Sequence, residues 1–231
     1  MTVPGDSKRR LLDAAEKLFS ENGFHATSLR QITTAADTNL ASVNYHFGSK
    51  HGLIVEVFER FLEPINSERI RMLNEVEGAN ETPDLEMVLR AFVAPLFRFR
   101  HEHQERAQRA MRLYGRTHGA ADPSVHAIFV RQFDTVRQRF GAAFARALPE
   151  LSEADLSWRM HFLIGTMAQT MADPERLVAI SRGSCDPYDI DATLSHLVAF
   201  LVAGMRAPRP GTPSPDAAER NVLSPRQRRD A

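Results

Sequence analysis

Ser28, Arg30, Thr38, Asn39, Ser42, Asn44, Tyr45, His46 and Lys50 crowd into one short stretch, TSLRQITTAADTNLASVNYHFGSK, at positions 27–50. Small hydroxyls and amides can bond base edges or phosphate oxygens. A tyrosine, a histidine and a lysine close by can hold a sugar-phosphate backbone. Leu40 and Ala41 sit among these groups and leave room for close approach. The chemistry on offer is recognition of a polyanion, not bond making.

Such groups act together only if short, rigid elements present them. Ser28 can cap a helix while Gln31, three residues on, reaches back to the cap amide, so a helix is predicted to start there. Leu29, Ile32, Ala35 and Ala36 give that helix one apolar face. Asp37 tolerates the left-handed backbone of a sharp turn, and Thr38 or Asn39 can cap a second helix over about 39–46. That helix is expected to bury Leu40, Val43 and Phe47 and to leave Ala41, Ser42, Asn44, Tyr45 and His46 outward. Two helices joined by so tight a turn have the form of a helix-turn-helix. The same spacing also suits an ordinary helical hairpin whose polar side faces water.

Upstream, Asp6 or Ser7 can cap a first helix with an apolar stripe of Leu11, Leu12, Ala15, Leu18 and Phe19, ended by Asn22 and Gly23. Taken together, LLDAAEKLFSENGFHATSLRQI, NYHFGSK and the apolar Leu53 resemble the N-terminal domain of TetR-family transcriptional regulators, over roughly a fifth of the chain. The resemblance implies that Tyr45, His46 and Lys50 clamp phosphates. It also implies that Ser28 and Arg30 meet the backbone or a base edge, and that Leu40, Ala41, Ser42 and Asn44 face bases. The family commonly has glycine where this chain has Asp37, which adds some strain to the turn.

The chain has 231 residues, enough for a small DNA module and one larger domain. Its charge is balanced, with 29 Lys and Arg against 29 Asp and Glu, so composition by itself gives no sign of nucleic acid. Residues 1–50 hold six Lys or Arg (8, 9, 10, 17, 30 and 50) against five Asp or Glu, so counterion release is expected to supply little affinity there, and specific contacts and dimerisation must supply more. Cys185 is the single cysteine, no apolar run is long enough to span a bilayer, and no signal segment opens the chain. A cytoplasmic protein without membrane association is expected.

The remainder reads as helix throughout. From Lys50 the apolar period continues toward Met72 and Leu73 despite Pro64. After a break at 78–84, helices are expected near 85–97, 104–118, 124–147, 153–172 and 189–205. The expected fold class is all-α: a three-helix helix-turn-helix domain at 1–50, a larger helical ligand-binding and dimerisation domain at 51–206, and a disordered Pro- and Arg-rich tail at 207–231. The dimer face is expected around Trp158, His161, Phe162, Gly165 and Gln169 with Leu194, Leu197 and Leu201.

Phe and Met are abundant in the larger domain. Phe92, Leu96, Phe99, Met111, Phe129, Phe133 and Phe162 are candidate walls for an apolar ligand, although side chains of this kind can equally fill a solid core. The run NYHFGSKHGLIVEVFERFLEPINSER looks like the subgroup of the family that senses fatty acids or acyl thioesters. An acyl head would seek a cation, and Arg112, Tyr114 and Arg116, beside Arg109, are the nearest polar cluster. Metal-ligand and catalytic spacings are missing, so no metal, no cofactor and no enzyme activity are expected. The partners implied are a double-stranded DNA operator, a small apolar effector and a second copy of the chain. A helical lipid-binding carrier or enzyme that no longer binds DNA is the alternative.

Overall fold

A computed structural model describes residues 4–79, 81–118 and 123–209. Among these residues there is no strand; the chain runs through eleven helices, as the apolar periods require. In order they are α1 (Pro4–Asn22), α2 (Leu29–Ala35), α3 (Leu40–Phe47), α4 (Lys50–Ala79), α5 (Leu85–Glu102) and α6 (Gln104–His118). Then come α7 (Pro123–Arg131), α8 (Asp134–Ala147), α9 (Glu153–Ala172), α10 (Pro174–Ile180) and α11 (Ile190–Arg206).

Two apolar clusters hold them together. The first joins α1, α2, α3 and the first half of α4 through Leu11, Phe19, Ile32, Val43, Leu53 and Phe58, and takes in Phe99, Leu113 and Ile128 from α5, α6 and α7. The second gathers the end of α4 with α5, α8, α9 and α11 around Phe92, Phe140 and Phe144. α4 and α5 contribute to both clusters.

Pro64 lies inside α4. Lacking an N–H, it cannot bond the carbonyl four residues back, that of Arg60. Arg106 of α6 replaces the missing donor, giving a guanidinium hydrogen to the Arg60 carbonyl at 3.2 Å while stacking over Phe61 and Phe99. The proline is thus accommodated by a side chain from a neighbouring helix.

Three sequence expectations need correction. The stretch 124–147 is two helices, not one, because Asn66 of α4 donates its amide to the Gln132 carbonyl at 2.9 Å and Phe133 leaves helical geometry. A seven-residue helix, α10, follows α9 where none was expected; Asp173 caps it and Pro174 opens it. Leu194, Leu197 and Leu201 are buried in the subunit's own core and cannot form a dimer face. Of the predicted tail, 210–231 lies outside the described residues.

Candidate nucleic-acid interface

The geometry of the first three helices follows from local bonds. Ser28 accepts the Gln31 amide at 3.2 Å and Gln31 Oε1 accepts the Ser28 amide at 2.7 Å, closing both halves of the capping box that starts α2. Asp37 then takes a left-handed conformation with φ of 48°, and Arg10 of α1 reaches its carboxylate at 3.4 Å. Asn39 caps α3 by accepting the Ser42 amide at 2.9 Å, which settles the choice left open between it and Thr38. Val43 and Phe47 anchor the inner face of α3. Leu40 does not: it is 42% exposed, which corrects its expected burial and leaves it on the outer face with the predicted base readers.

That outer face collects most of the predicted residues. Ser28, Arg30, Asn39, Leu40, Ala41, Asn44 and Tyr45 are exposed, and Ser42, His46 and Lys50 are half-buried beside them. Tyr45 is 83% exposed, its ring and hydroxyl both open to solvent. Its neighbour His46 meets the ring edge-on, with centroids 4.9 Å apart. Thr38 is the exception: its hydroxyl oxygen is shielded from solvent and has no partner among the described residues. The ammonium of Lys50, in the first turn of α4, has its pKa lowered by partial burial.

One contributor was invisible in the sequence. Ser7 of α1 lies 39 residues from His46 in the chain, yet its hydroxyl is 2.9 Å from His46 Nε2. With Asn39, Ala41, Ser42, Tyr45 and His46 it lines a shallow depression of about 330 Å³. Its polar lining offers hydroxyl, amide and imidazole groups that can bond phosphate oxygens.

Behind this face, charge connects the reading helices to the rest of the molecule. Glu16 of α1 is only 2% exposed. Arg109 of α6 binds it at 3.1 Å and Arg60 of α4 approaches to 3.8 Å while pairing with Asp13 at 2.6 Å. Arg60 therefore serves three helices, giving its side chain to α1 and its carbonyl to Arg106 of α6. Aromatic rings run parallel to this cluster: Phe19 to Phe24, Phe24 to Phe58, Phe58 to Phe129, and Phe129 to Tyr114, all with centroids 5.3–5.7 Å apart.

The residues predicted to line a ligand cavity do not share one site. Phe92 packs on Phe140 and Phe144 in the second core, with Met111 against it, whereas Phe99 is in the first core and Phe129 packs against it; Leu96 touches both. Phe133 meets Phe129 edge-on, with centroids 5.1 Å apart. Phe162 is 61% exposed and lies against Trp158 on the outside of α9, so it lines no interior wall. Arg112 is exposed and points no charge inward; Tyr114 is half-buried, its pKa raised by burial; the Arg116 side chain lies outside the described residues. Instead, a groove of about 680 Å³ opens between α4, α5 and α11, with Met72, Val76, Ala94 and Leu194 among its apolar walls.

A buried cation was missed in the sequence. Arg69, on α4, is 2% exposed in the second core. The signal was present, because Arg69 interrupts the apolar series Ile65, Leu73 and Val76 at helical spacing.

Two family models match the chain: the tetR family of bacterial regulatory proteins over residues 11–57, and the tetracyclin repressor-like C-terminal domain over residues 90–204. Together they span most of the chain, and the chain belongs to the TetR family. Among curated proteins, it is 27% identical over 99 residues to the probable HTH-type transcriptional regulator YttP of Bacillus subtilis, covering 43% of this chain and 46% of that protein. It is 30% identical over 99 residues to the HTH-type transcriptional repressor NicS of Pseudomonas putida, covering 43% and 44%. The chain thus spans less than half the length of these relatives, which are regulators and not enzymes. Among solved structures, the regulator FadR from Bacillus subtilis in complex with stearoyl-CoA matches 85% of this chain and 98% of its own, with a TM-score of 0.60 and 14% identity. That likeness concerns the fold. No helix among the described residues is long and apolar enough to cross a membrane.

Proposed function

We propose that this chain is a cytoplasmic, homodimeric DNA-binding repressor that leaves a palindromic operator when a small apolar ligand, of acyl type, binds the larger domain. The observation that carries the reading is the outer face of α3, where Leu40, Ala41, Asn44 and the 83%-exposed Tyr45 stand free above a buried anchor of Val43 and Phe47. A helix so short is held by packing and not by its own propensity, so its exposed face is free to be specified by a partner.

Dimerisation is supported by Trp158, Phe162 and Ile164 on α9 and Phe200 on α11, all exposed. Large apolar groups on neighbouring helices favour a self-complementary contact. Two copies of α3 would then read half-sites about one helical turn apart, ~34–36 Å or somewhat more. A ligand that binds the DNA-incompetent dimer more tightly lowers operator affinity by that difference alone. The route proposed for it runs from α6 through Arg106, Arg60, Arg109 and Glu16 to α1.

The reading is tested by selecting duplexes from a random pool with the purified protein at fixed salt. A two-fold symmetric consensus is expected, bound at least tenfold more weakly by Tyr45→Ala. Recovery of no consensus, with Tyr45→Ala indistinguishable from the wild type, would favour the carrier or enzyme alternative.

A further inference from the structure

Ser7 is the α1 residue that lines the depression beside α3, together with Asn39, Ala41, Ser42, Tyr45 and His46. The cations that follow it in the chain are already held by carboxylates. Lys8 pairs with Glu56 at 3.0 Å and lies over the Phe47 ring. Arg9 pairs with Asp6 at 3.0 Å, and Arg10 pairs with Asp6 and Asp37, each at 3.4 Å. What α1 brings to the depression is therefore a hydroxyl.

That hydroxyl is needed neither to build α1 nor to dock it. Alanine is a better helix former than serine. Leu11 of α1 already shares the first core with Val43 and Phe47 of α3. The Ser7 oxygen lies 2.9 Å from His46 Nε2. Aromatic neighbours confine the imidazole as well, Tyr45 meeting it edge-on at 4.9 Å and Phe47 at 5.9 Å between centroids. Its second nitrogen, Nδ1, has no hydrogen-bond partner among the described residues.

Which imidazole nitrogen carries the proton is set by the bond the other one makes. When Ser7 donates to Nε2, the ring hydrogen is on Nδ1. When the ring is doubly protonated, both nitrogens carry a hydrogen and Ser7 accepts from Nε2. In either state Nδ1 is a donor, as an anionic oxygen in the depression requires. The Ser42 hydroxyl is committed elsewhere, donating to Asn39 Oδ1 at 3.2 Å.

We infer that Ser7 is a positioning residue of the DNA contact: it fixes the tautomer and orientation of His46, so that Nδ1–H meets a phosphate oxygen of the duplex at the depression. The inference rests on reading the outer face of α3 as the DNA face, and it brings α1 into a contact made by α3. A phosphate carries no sequence information, so Ser7 contributes affinity and register and not the choice of operator.

The test has two arms. The first is long-range proton–nitrogen correlation spectroscopy of the full chain, labelled at the histidine nitrogens, at about pH 8, where an ordinary imidazole is neutral. His46, assigned by the signal lost in His46→Gln, is expected with its hydrogen on Nδ1; Ser7→Ala should lose that preference and Ser7→Thr should keep it. The second arm measures binding to the duplex recovered by selection and to a duplex of unrelated sequence at low salt. Ser7→Ala is expected to bind both about fivefold more weakly, with the selected consensus unchanged, and to add nothing in a His46→Gln background. Replacing the contacted phosphate by a neutral methylphosphonate should weaken the wild type and leave Ser7→Ala unaffected. The same His46 tautomer in wild type and Ser7→Ala, or a Ser7→Ala protein that binds as the wild type does, would overturn the inference alone. A wild type that binds neither duplex would overturn the regulator reading and the phosphate contact with it.

Discussion

Gly52→Ala is expected to destabilise the protein by about 3 kcal/mol and to reduce operator binding by more than tenfold. A Cβ at Gly52 would sit 2.0 Å from the Phe47 carbonyl oxygen and 3.2 Å from its carbon. Both atoms are backbone at the last residue of α3, so no rotamer change relieves the contact. The turn between α3 and α4 is already specified by Gly48 with φ of 69°, which leaves the reading helix no slack. α3 must therefore shift on α4, and its outer face shifts with it. Helix propensity alone gives the opposite sign, since alanine in a helix interior is favoured over glycine by about 1 kcal/mol. Urea denaturation decides between them: a Gly52→Ala protein as stable as the wild type would mean that α3 and α4 are not so closely apposed.

Glu16→Gln has the second largest expected effect. It keeps the shape of a buried side chain and removes the charge that Arg109 and Arg60 share. Removing one partner of a fully buried pair costs about 3–5 kcal/mol. The two arginine side chains here are each 30% exposed, so about 2 kcal/mol is expected, with water compensating the rest. A double-mutant cycle between Glu16→Gln and Arg109→Met should return a coupling of about 1–2 kcal/mol. The more telling change is functional. The variant should still bind the operator within a few fold but should respond weakly to ligand, because the charged link from α6 to α1 is broken. Unaltered release by ligand would exclude the charged link as the route.

Local chemistry makes the reading helices legible in the sequence. The Ser28 capping box, the left-handed Asp37 and the apolar anchors Val43 and Phe47 are all set within a few residues of themselves. The departures come from long-range partners or from ambiguous faces. Asn66 breaks the helix at Gln132 from 66 residues away, a bond no periodicity reveals. Leu40 reads as apolar and hence buried, yet three residues further along the same helix Val43 already fills the inner face. Leu194, Leu197 and Leu201 share one stripe, which could have faced either the subunit's core or a partner; the core took it, leaving Phe200 and His196 outside. Two signals are present in the sequence but easily passed over: Asp173 followed by Pro174 as a helix start, and Arg69 inside an apolar stripe.

The candidate ligand residues illustrate the difference between type and place. Phe92, Phe99, Phe129 and Phe162 are alike in sequence, but the first belongs to the second core, the next two to the first core, and the last to the molecular surface. Aromatic composition therefore points to an apolar domain without locating a pocket in it. The groove between α4, α5 and α11 depends on three helices far apart in the chain and has no sequence signature.

The most direct measurement is footprinting of the purified protein on the DNA upstream of its own gene and its neighbours, at one fixed salt concentration, with and without long-chain acyl thioesters and acids. A regulator of the kind proposed protects a two-fold symmetric segment and releases it when the ligand is added. Protection that is indifferent to every acyl ligand would contradict the effector reading, and the absence of protection at any of these sites would contradict the proposed repressor.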